Sequence, residues 1–204
     1  MKPLSRTVGL SLATLAAAAV LTACGGGGHD MSSMGASGAA ASGSARASGS
    51  SGPGAAANGA DVMFAQMMIP HHRQAVEMAQ LAPTRAADPR VRELATKIAA
   101  TQDPEITTMT KWLTDRSKPT AAAMDHGGTS GMTTTAAVDK LKAASGAEFD
   151  KLFLTLMIEH HNGAVQMAAD EAAKGGDAEL RRLAETIRQE QTAEIATLQK
   201  LLTG

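Results

Sequence analysis

The 204-residue chain has no tyrosine, one tryptophan, three phenylalanines and a single cysteine. One cysteine, Cys24, excludes a disulfide or a thiolate cluster within the folded part. So few aromatics leave the core to Leu, Ile, Val, Ala and Met. That set suits packed helices, whereas a sheet favours β-branched and aromatic residues. An excess of basic charge is also missing: 19 Lys and Arg stand against 20 Asp and Glu. Without the leader that carries Lys2 and Arg6, 17 basic residues remain and the net charge is −3. No nucleic acid is expected as a partner.

What is present starts at the N-terminus. Lys2 and Arg6 precede a short apolar run, "VGLSLATLAAAAVL", that closes on "LTAC". The run is too short for a spanning helix and reads as a signal peptide over 1–23. A branched residue, two small residues and a cysteine resemble the bacterial lipoprotein box, which makes Cys24 the expected lipidation site. Residues 24–60 are nearly all Gly, Ala and Ser and offer too little apolar surface to offset ordering. Such a flexible tether spans about 30–36 Å. The expectation is an exported, membrane-anchored lipoprotein on the periplasmic or cell-surface side, with one domain over 61–204.

That domain repeats itself. Residues 61–113 align with 150–202 without a gap, at 21 identities in 53 positions, and 114–149 link the copies. Each copy opens with an amphipathic segment. Phe64, Met68, His71, Ala75, Met78 and Ala82 recur every three or four residues, as do Phe153, Met157, His160, Ala164 and Met167. This spacing predicts helices with a single buried stripe. His72 and His161 lie about 100° further round, at the edge of the same wide face. A second helix in copy one starts at Asp88 and Pro89, an N-cap followed by proline at the first position. Its stripe, Val91 to Trp112, is interrupted by Gln102 and Glu105; copy two has Gln191 and Glu194 at the same places.

A hairpin cannot bury its stripe alone, but two hairpins can bury theirs together. The predicted fold is all-α, a four-helix bundle with helices near 62–86, 89–115, 147–174 and 177–203. The long 114–149 connection favours a ferritin-like crossover, with a short helix in "AAVDKLKAA". Pro70 and Pro104 are expected to bend their helices. His71 and His160, Gln102 and Gln191, and Glu105 and Glu194 all fall about 22–27 Å from their hairpin turns. They should meet in one polar layer.

Three readings of that layer compete. Met68 precedes His71 and His72 by three and four residues, and Met157 stands likewise to His160 and His161, so thioether and imidazole can reach one ion. Soft sulfur with imidazole selects Cu(I) and its mimic Ag(I), and Gln102, Glu105, Gln191 and Glu194 could orient the rings. Met78 and Met167 lie two turns away and fit core packing better than the same ion. A di-iron or di-manganese oxidase needs Glu-x-x-His on two helices; here Met and Ile occupy those positions. The third reading is a metal-free hydrogen-bonded network that specifies pairing. The two remaining histidines sit in "HDMSSM" (His29, Met31, Met34) and "MDHGGTSGM" (Met124, His126, Met132), flexible clusters that could add weaker copper sites. No catalytic constellation is apparent, so no enzyme is expected.

The doubled "MMIPHHRQAVEMA" and "LMIEHHNGAVQMA", each with a downstream Q-x-x-E-I, resemble domain-of-unknown-function family 305. The resemblance covers about 61–203. It implies an exported bacterial ferritin-like bundle, with some members tied to copper or silver handling, often through Met/His-rich tails. By position it implies His71, His72, Met78, His160, His161 and Met167 as motif residues. Met109 stands opposite Leu198 and has no sulfur counterpart.

Overall fold

The computed structural model describes residues 56–121 and 131–204. Six helical segments form among them: α1 Gly59–Ala79, α2 Ala82–Arg85, α3 Pro89–Asp115, α4 Thr135–Ala143, α5 Gly146–Lys174 and α6 Ala178–Thr203. The four long ones, α1, α3, α5 and α6, make the expected all-α bundle. The start signal read at Asp88 works, its carboxylate capping α3, and Asp177 caps α6 in the same way. Asn58 caps α1 in a capping box with Asp61, so the last residues assigned to the tether already belong to the helix.

One boundary differs from expectation. The first helix does not run to 86 but stops at Ala79 and restarts as α2. Pro83 explains it, because it has no N–H to give the Ala79 carbonyl and its ring crowds that group. Proline is accepted in the first turn of α2, where the donor would be idle anyway. Copy two has Ala172 at this place, and α5 continues to Lys174. Pro70 and Pro104 instead lie within α1 and α3 on the exposed face, where water can take up the freed carbonyls.

Two aspartate clamps show how the copies sit together. Asp61, at the start of α1, accepts from the backbone N–H of Gly176 at 3.1 Å and of Asp177 at 2.9 Å. Its repeat mate Asp150, at the start of α5, accepts from Ala87 at 3.1 Å and Asp88 at 2.9 Å. Each copy therefore holds the hairpin turn of the other, and α1 and α5 run antiparallel. Arg116 after α3 meets Asp177 before α6 at 2.8 Å, so α3 and α6 are antiparallel too. The chain must then cross the length of the bundle between α3 and α5, the ferritin-like connection. Gln74 pins this crossover by bonding both the N–H and the carbonyl of Thr133, and Gly131 packs against Gly163 of α5. The helix expected in "AAVDKLKAA" is α4, which buries Val138 and Leu141.

The core splits in two. One cluster, around the copy-one turn, joins Met78, Val91, Ile98, Leu141, Phe149, Phe153, Met157 and Leu198. The other, around the copy-two turn, joins Phe64, Met68, Ile69, Met109, Trp112, Met167, Leu180 and Ile187. The residues between them along the helices are the histidines, glutamines and glutamates.

Candidate metal centre

α1 and α5 present their histidine pairs to each other at mid-bundle. His71, His72, His160 and His161 are all fully buried. The His71 and His160 rings lie against one another, with centroids 3.6 Å apart and planes tilted by 36°. The other two rings turn toward the second helix of their own copy. His72 Nε2 is 2.8 Å from Glu105 Oε2, and His161 Nε2 is 2.9 Å from Glu194 Oε2. Sequence position alone made Glu105 and Glu194 partners of the layer in general; the structure assigns them to His72 and His161.

Burial controls the protonation of this layer. Loss of water lowers the His72 pKa to about 3, helped by the nearby His161 and opposed by the Glu194 charge. His160 is also pushed well below the usual range by burial, with the other histidines adding to it. Burial, reinforced by the Glu194 charge, raises Glu105 to about 7, while His161 pulls it back. Groups from the two copies thus feel one another across the layer. A neutral His72 that donates its Nε2–H to Glu105 carries its lone pair on Nδ1.

Several of these buried atoms have no hydrogen-bond partner among the described residues: Nδ1 of His72, Nδ1 of His161, and both amide atoms of Gln102 and Gln191. Unpaired buried polar atoms are costly and call for a reason. A carboxylate on one imidazole nitrogen with the other nitrogen unpaired is the pattern of a metal-ligating histidine. Met68 and Met157 are fully buried just beyond the layer, one in each apolar cluster. Met78 and Met167 lie deeper in the opposite clusters from their own copies' Met68 and Met157.

The fit to an ion has definite limits. Among the described residues no three His, Cys, Asp or Glu side chains gather closely enough to hold one. An ion that needs three or four such ligands is poorly served, whereas a soft monovalent ion can use imidazole with thioether. An ion in line between two imidazoles keeps ring centres about 6 Å apart, each bond being about 2 Å. His71 and His160 are closer than that and would have to rotate. The donor set fits a soft ion; the resting ring pair is a close, tilted contact.

The other candidates fall elsewhere. Met132 is half-buried between Gly131 and Thr133, near the level of the layer but on the crossover. Cys24, His29, Met31, Met34, Met124 and His126 lie outside the described residues. Sequence reasoning did not single out Asp61 and Asp150 or Glu171. The aspartates are identical at matching places of the repeat, which was a usable signal. Glu171 has Ala82 as its mate and gave none.

Comparison with known proteins places the chain. An uncharacterized protein of Acanthamoeba polyphaga mimivirus is 39% identical over 56 residues, 28% of this chain and 37% of that one. The match therefore spans little over a third of that viral protein. A Streptomyces coelicolor DUF305 protein held to be secreted is 35% identical, with a TM-score of 0.68 over 71% of this chain and 92% of its own. CopM in its Cu(II)-bound form is 32% identical, with a TM-score of 0.62 over 70% of this chain and 95% of its own. CopM has also been solved with Cu(I) and with silver. Residues 61–202 match the model of the domain of unknown function DUF305, and the chain belongs to that family.

Proposed function

We propose that this is an extracytoplasmic, membrane-tethered protein that binds Cu(I) or Ag(I) in its buried histidine layer and serves copper handling or resistance. The observation that carries the reading is the pair of Glu–His dyads, each with its imidazole Nδ1 unpaired among the described residues and a buried methionine one helical turn before it in the chain. The likeness to CopM, solved with copper and silver, supports it. Glu105 and Glu194 orient the rings of His72 and His161. His71 and His160 complete the imidazole set at the crossing of α1 and α5, and Met68 and Met157 add sulfur from either side. The bound ion is cargo, and holding it would tie the two copies together. The Met/His clusters at 29–34 and 124–132, set in Gly- and Ser-rich sequence, gather ions more weakly than the buried helical layer. Cys24 anchors the chain by a lipid; metabolic lipid labelling should mark the wild type and not Cys24→Ser.

The central test is anaerobic titration with Cu(I) against a competing chelator. His71→Ala with His160→Ala should abolish the tightest binding, while deletion of 25–60 should remove only weaker sites. Added Cu(I) should raise the wild-type melting temperature, as any ligand specific for the folded state does. Unchanged Cu(I) affinity in a folded double variant would reject the bundle site.

The close ring contact of His71 with His160 favours a second reading, in which the layer is metal-free and specifies the pairing of α1 with α5. That reading expects the double variant to unfold and the wild type to show no metal-dependent shift. No catalytic role is proposed.

A further inference from the structure

The two ends of the bundle are closed differently, and the difference opens a path to the histidines. α1 packs extensively on α3, α5 on α6, and α1 on α5, but α3 and α6 touch little. At the copy-two end the gap between α3 and α6 holds Trp112, which is 3% exposed and packs in one cluster with Leu180 and Ala184. Arg116 lies over its ring at 4.2 Å. The repeat mate of Trp112 is Leu201, a much smaller side chain. At that end a cavity of about 1100 Å³ lies between the helices.

The cavity is not an isolated surface cleft. Its walls include Leu94 and Lys97 from α3, and Glu190, Glu194 and Leu201 from α6. Glu194 is the same residue that bonds His161 at 2.9 Å. One side chain therefore spans from the cavity wall to the buried layer. Glu190 lies one helical turn before it on the same face. Lys97 stands across the gap, and its charge reaches Glu190. A volume of this size matches or exceeds that of ordinary small-ligand pockets, ample for a cation with part of its hydration or donor shell. His71, His72, His160 and His161 are all closed to solvent, so an ion needs a way in, and helices packed as α1 is on α3 offer none.

We infer that the groove between α3 and α6 is the access route by which water and a soft monovalent cation reach His161, with Glu194 as the inner gate and Leu201 as the residue that leaves the route open. The ion's part in this rests on the metal-binding reading above; the route itself does not. Glu194 is a positioning residue that must swing from His161 for an ion to pass. At the mouth Glu93 and Glu190 face Arg90, Lys97 and Lys200, and Glu190 offsets that positive charge for an entering cation. The duplication supplied two equivalent gaps, and Trp112 closes one of them.

The experiment fills the open gap as the chain fills the closed one. Leu201→Trp, with Leu201→Phe as a second variant and circular dichroism melts to confirm folding, is compared with the wild type in two measurements. The first is deuterium exchange of the His161 C2 hydrogen in the metal-free protein, read by mass spectrometry. The second is Ag(I) uptake, timed by chelator quench, alongside equilibrium Ag(I) affinity. Exchange and uptake should both slow by about tenfold or more, within the one to three decades over which association rates of related variants spread, with affinity changing far less. Glu190→Gln should slow uptake and weaken its dependence on ionic strength. Folded Leu201 variants with wild-type exchange at His161 would overturn the route. Slowed exchange with no Ag(I) binding in any form would uphold the route for water and overturn the metal-binding reading instead.

Discussion

The copy-one and copy-two halves of the bundle carry the same buried histidines, glutamines and glutamates, yet they differ wherever the chain closes a gap around them. Trp112 fills the space between α3 and α6 at one end, while Leu201 leaves a cavity of about 1100 Å³ at the other. Pro83 breaks the first helix of copy one, and Ala172 lets that of copy two run on. Gln74 grips the crossover from α1, and Gly163 makes room for it on α5. Duplication produced two equivalent frames, and the divergence sits at their margins. The shared residues set what the layer can bind; the unshared ones set how it is reached.

The largest expected effect breaks the contrast at the closed end. Trp112→Ala should cost about 3–5 kcal/mol, the usual range for emptying a large aromatic site. Leu201→Ala, on the half-buried rim, should cost only about 1 kcal/mol. Urea denaturation of both variants measures the pair, and equal costs would mean the two ends are packed alike.

The aspartate clamps come next. Asp61 is fully buried and accepts backbone N–H groups from Asn58, Gly176 and Asp177. Asp150 is partly exposed and accepts from Ala87 and Asp88. Bonds to charged groups contribute more than neutral ones, so Asp61→Asn should cost about 2–3 kcal/mol and Asp150→Asn about 1. The same denaturation experiment ranks them, and a reversed order would contradict the burial argument.

Gly131→Ala tests the seat of the crossover. Gly131 has φ +79°, and a Cβ there would lie 2.7 Å from the Gly163 Cα. Strained backbone and this clash should together cost about 1 kcal/mol or more. Amide exchange should show the loosening near Thr133 and Gln74 rather than in α3 or α6. Protection lost evenly over the whole bundle would argue against a local seat.

The last contrast is a pH slope that Glu171 adds in copy two, beside the slope that the raised Glu105 carries in the histidine layer. Burial, with the neighbouring Asp61 and Asp177 carboxylates, raises Glu171 from 4.5 to about 8. Burial alone would raise Asp61 too, but its backbone N–H partners at Asn58, Asp177 and Gly176 and the Glu171 carboxyl hold it below the usual range. Between about pH 4.5 and 8 the folded chain keeps a proton on Glu171 that the unfolded chain releases. That contribution to stability is complete below about 4.5 and is lost as pH rises through 8. Glu171→Gln, which mimics the protonated acid, should remove Glu171's share of the fall in melting temperature over this window, most visibly between about pH 7 and 8, above the Glu105 value. Ala82 at the matching place in copy one gives no such slope.

Much of this was legible before any coordinates. Apolar stripes at helical spacing, the Asp88 cap and a gapless repeat point to four helices packed as two hairpins, because neither hairpin can bury its stripe alone. Equal distances from the turns put histidine, glutamine and glutamate at one height. Helix rotation was less legible. Only the packing of α1 on α5 sets His71 against His160 and sends His72 and His161 to the glutamates, since a rotation of a fraction of a turn would exchange those roles. Pro83 was visible as a residue but not as a stop, because Pro70 and Pro104 are equally visible and stop nothing. All three lie on exposed faces, so exposure does not separate the proline that stops its helix from the two that are carried through.

Local sequence thus determined the elements, the repeat and the chemical inventory of the layer, all of which depend on residues a few positions apart or on the constant offset of the duplication. Tertiary structure decided what depends on residues distant in the chain. The clamps join Asp61 to Asp177 and Asp150 to Asp88. The Glu171 carboxyl is raised by a neighbour 110 residues away. The open groove exists because Leu201 faces α3 where its repeat mate is a tryptophan. Contacts of this kind form only once both helices are in place, so their energies are written in the packing and not in any single stretch of sequence.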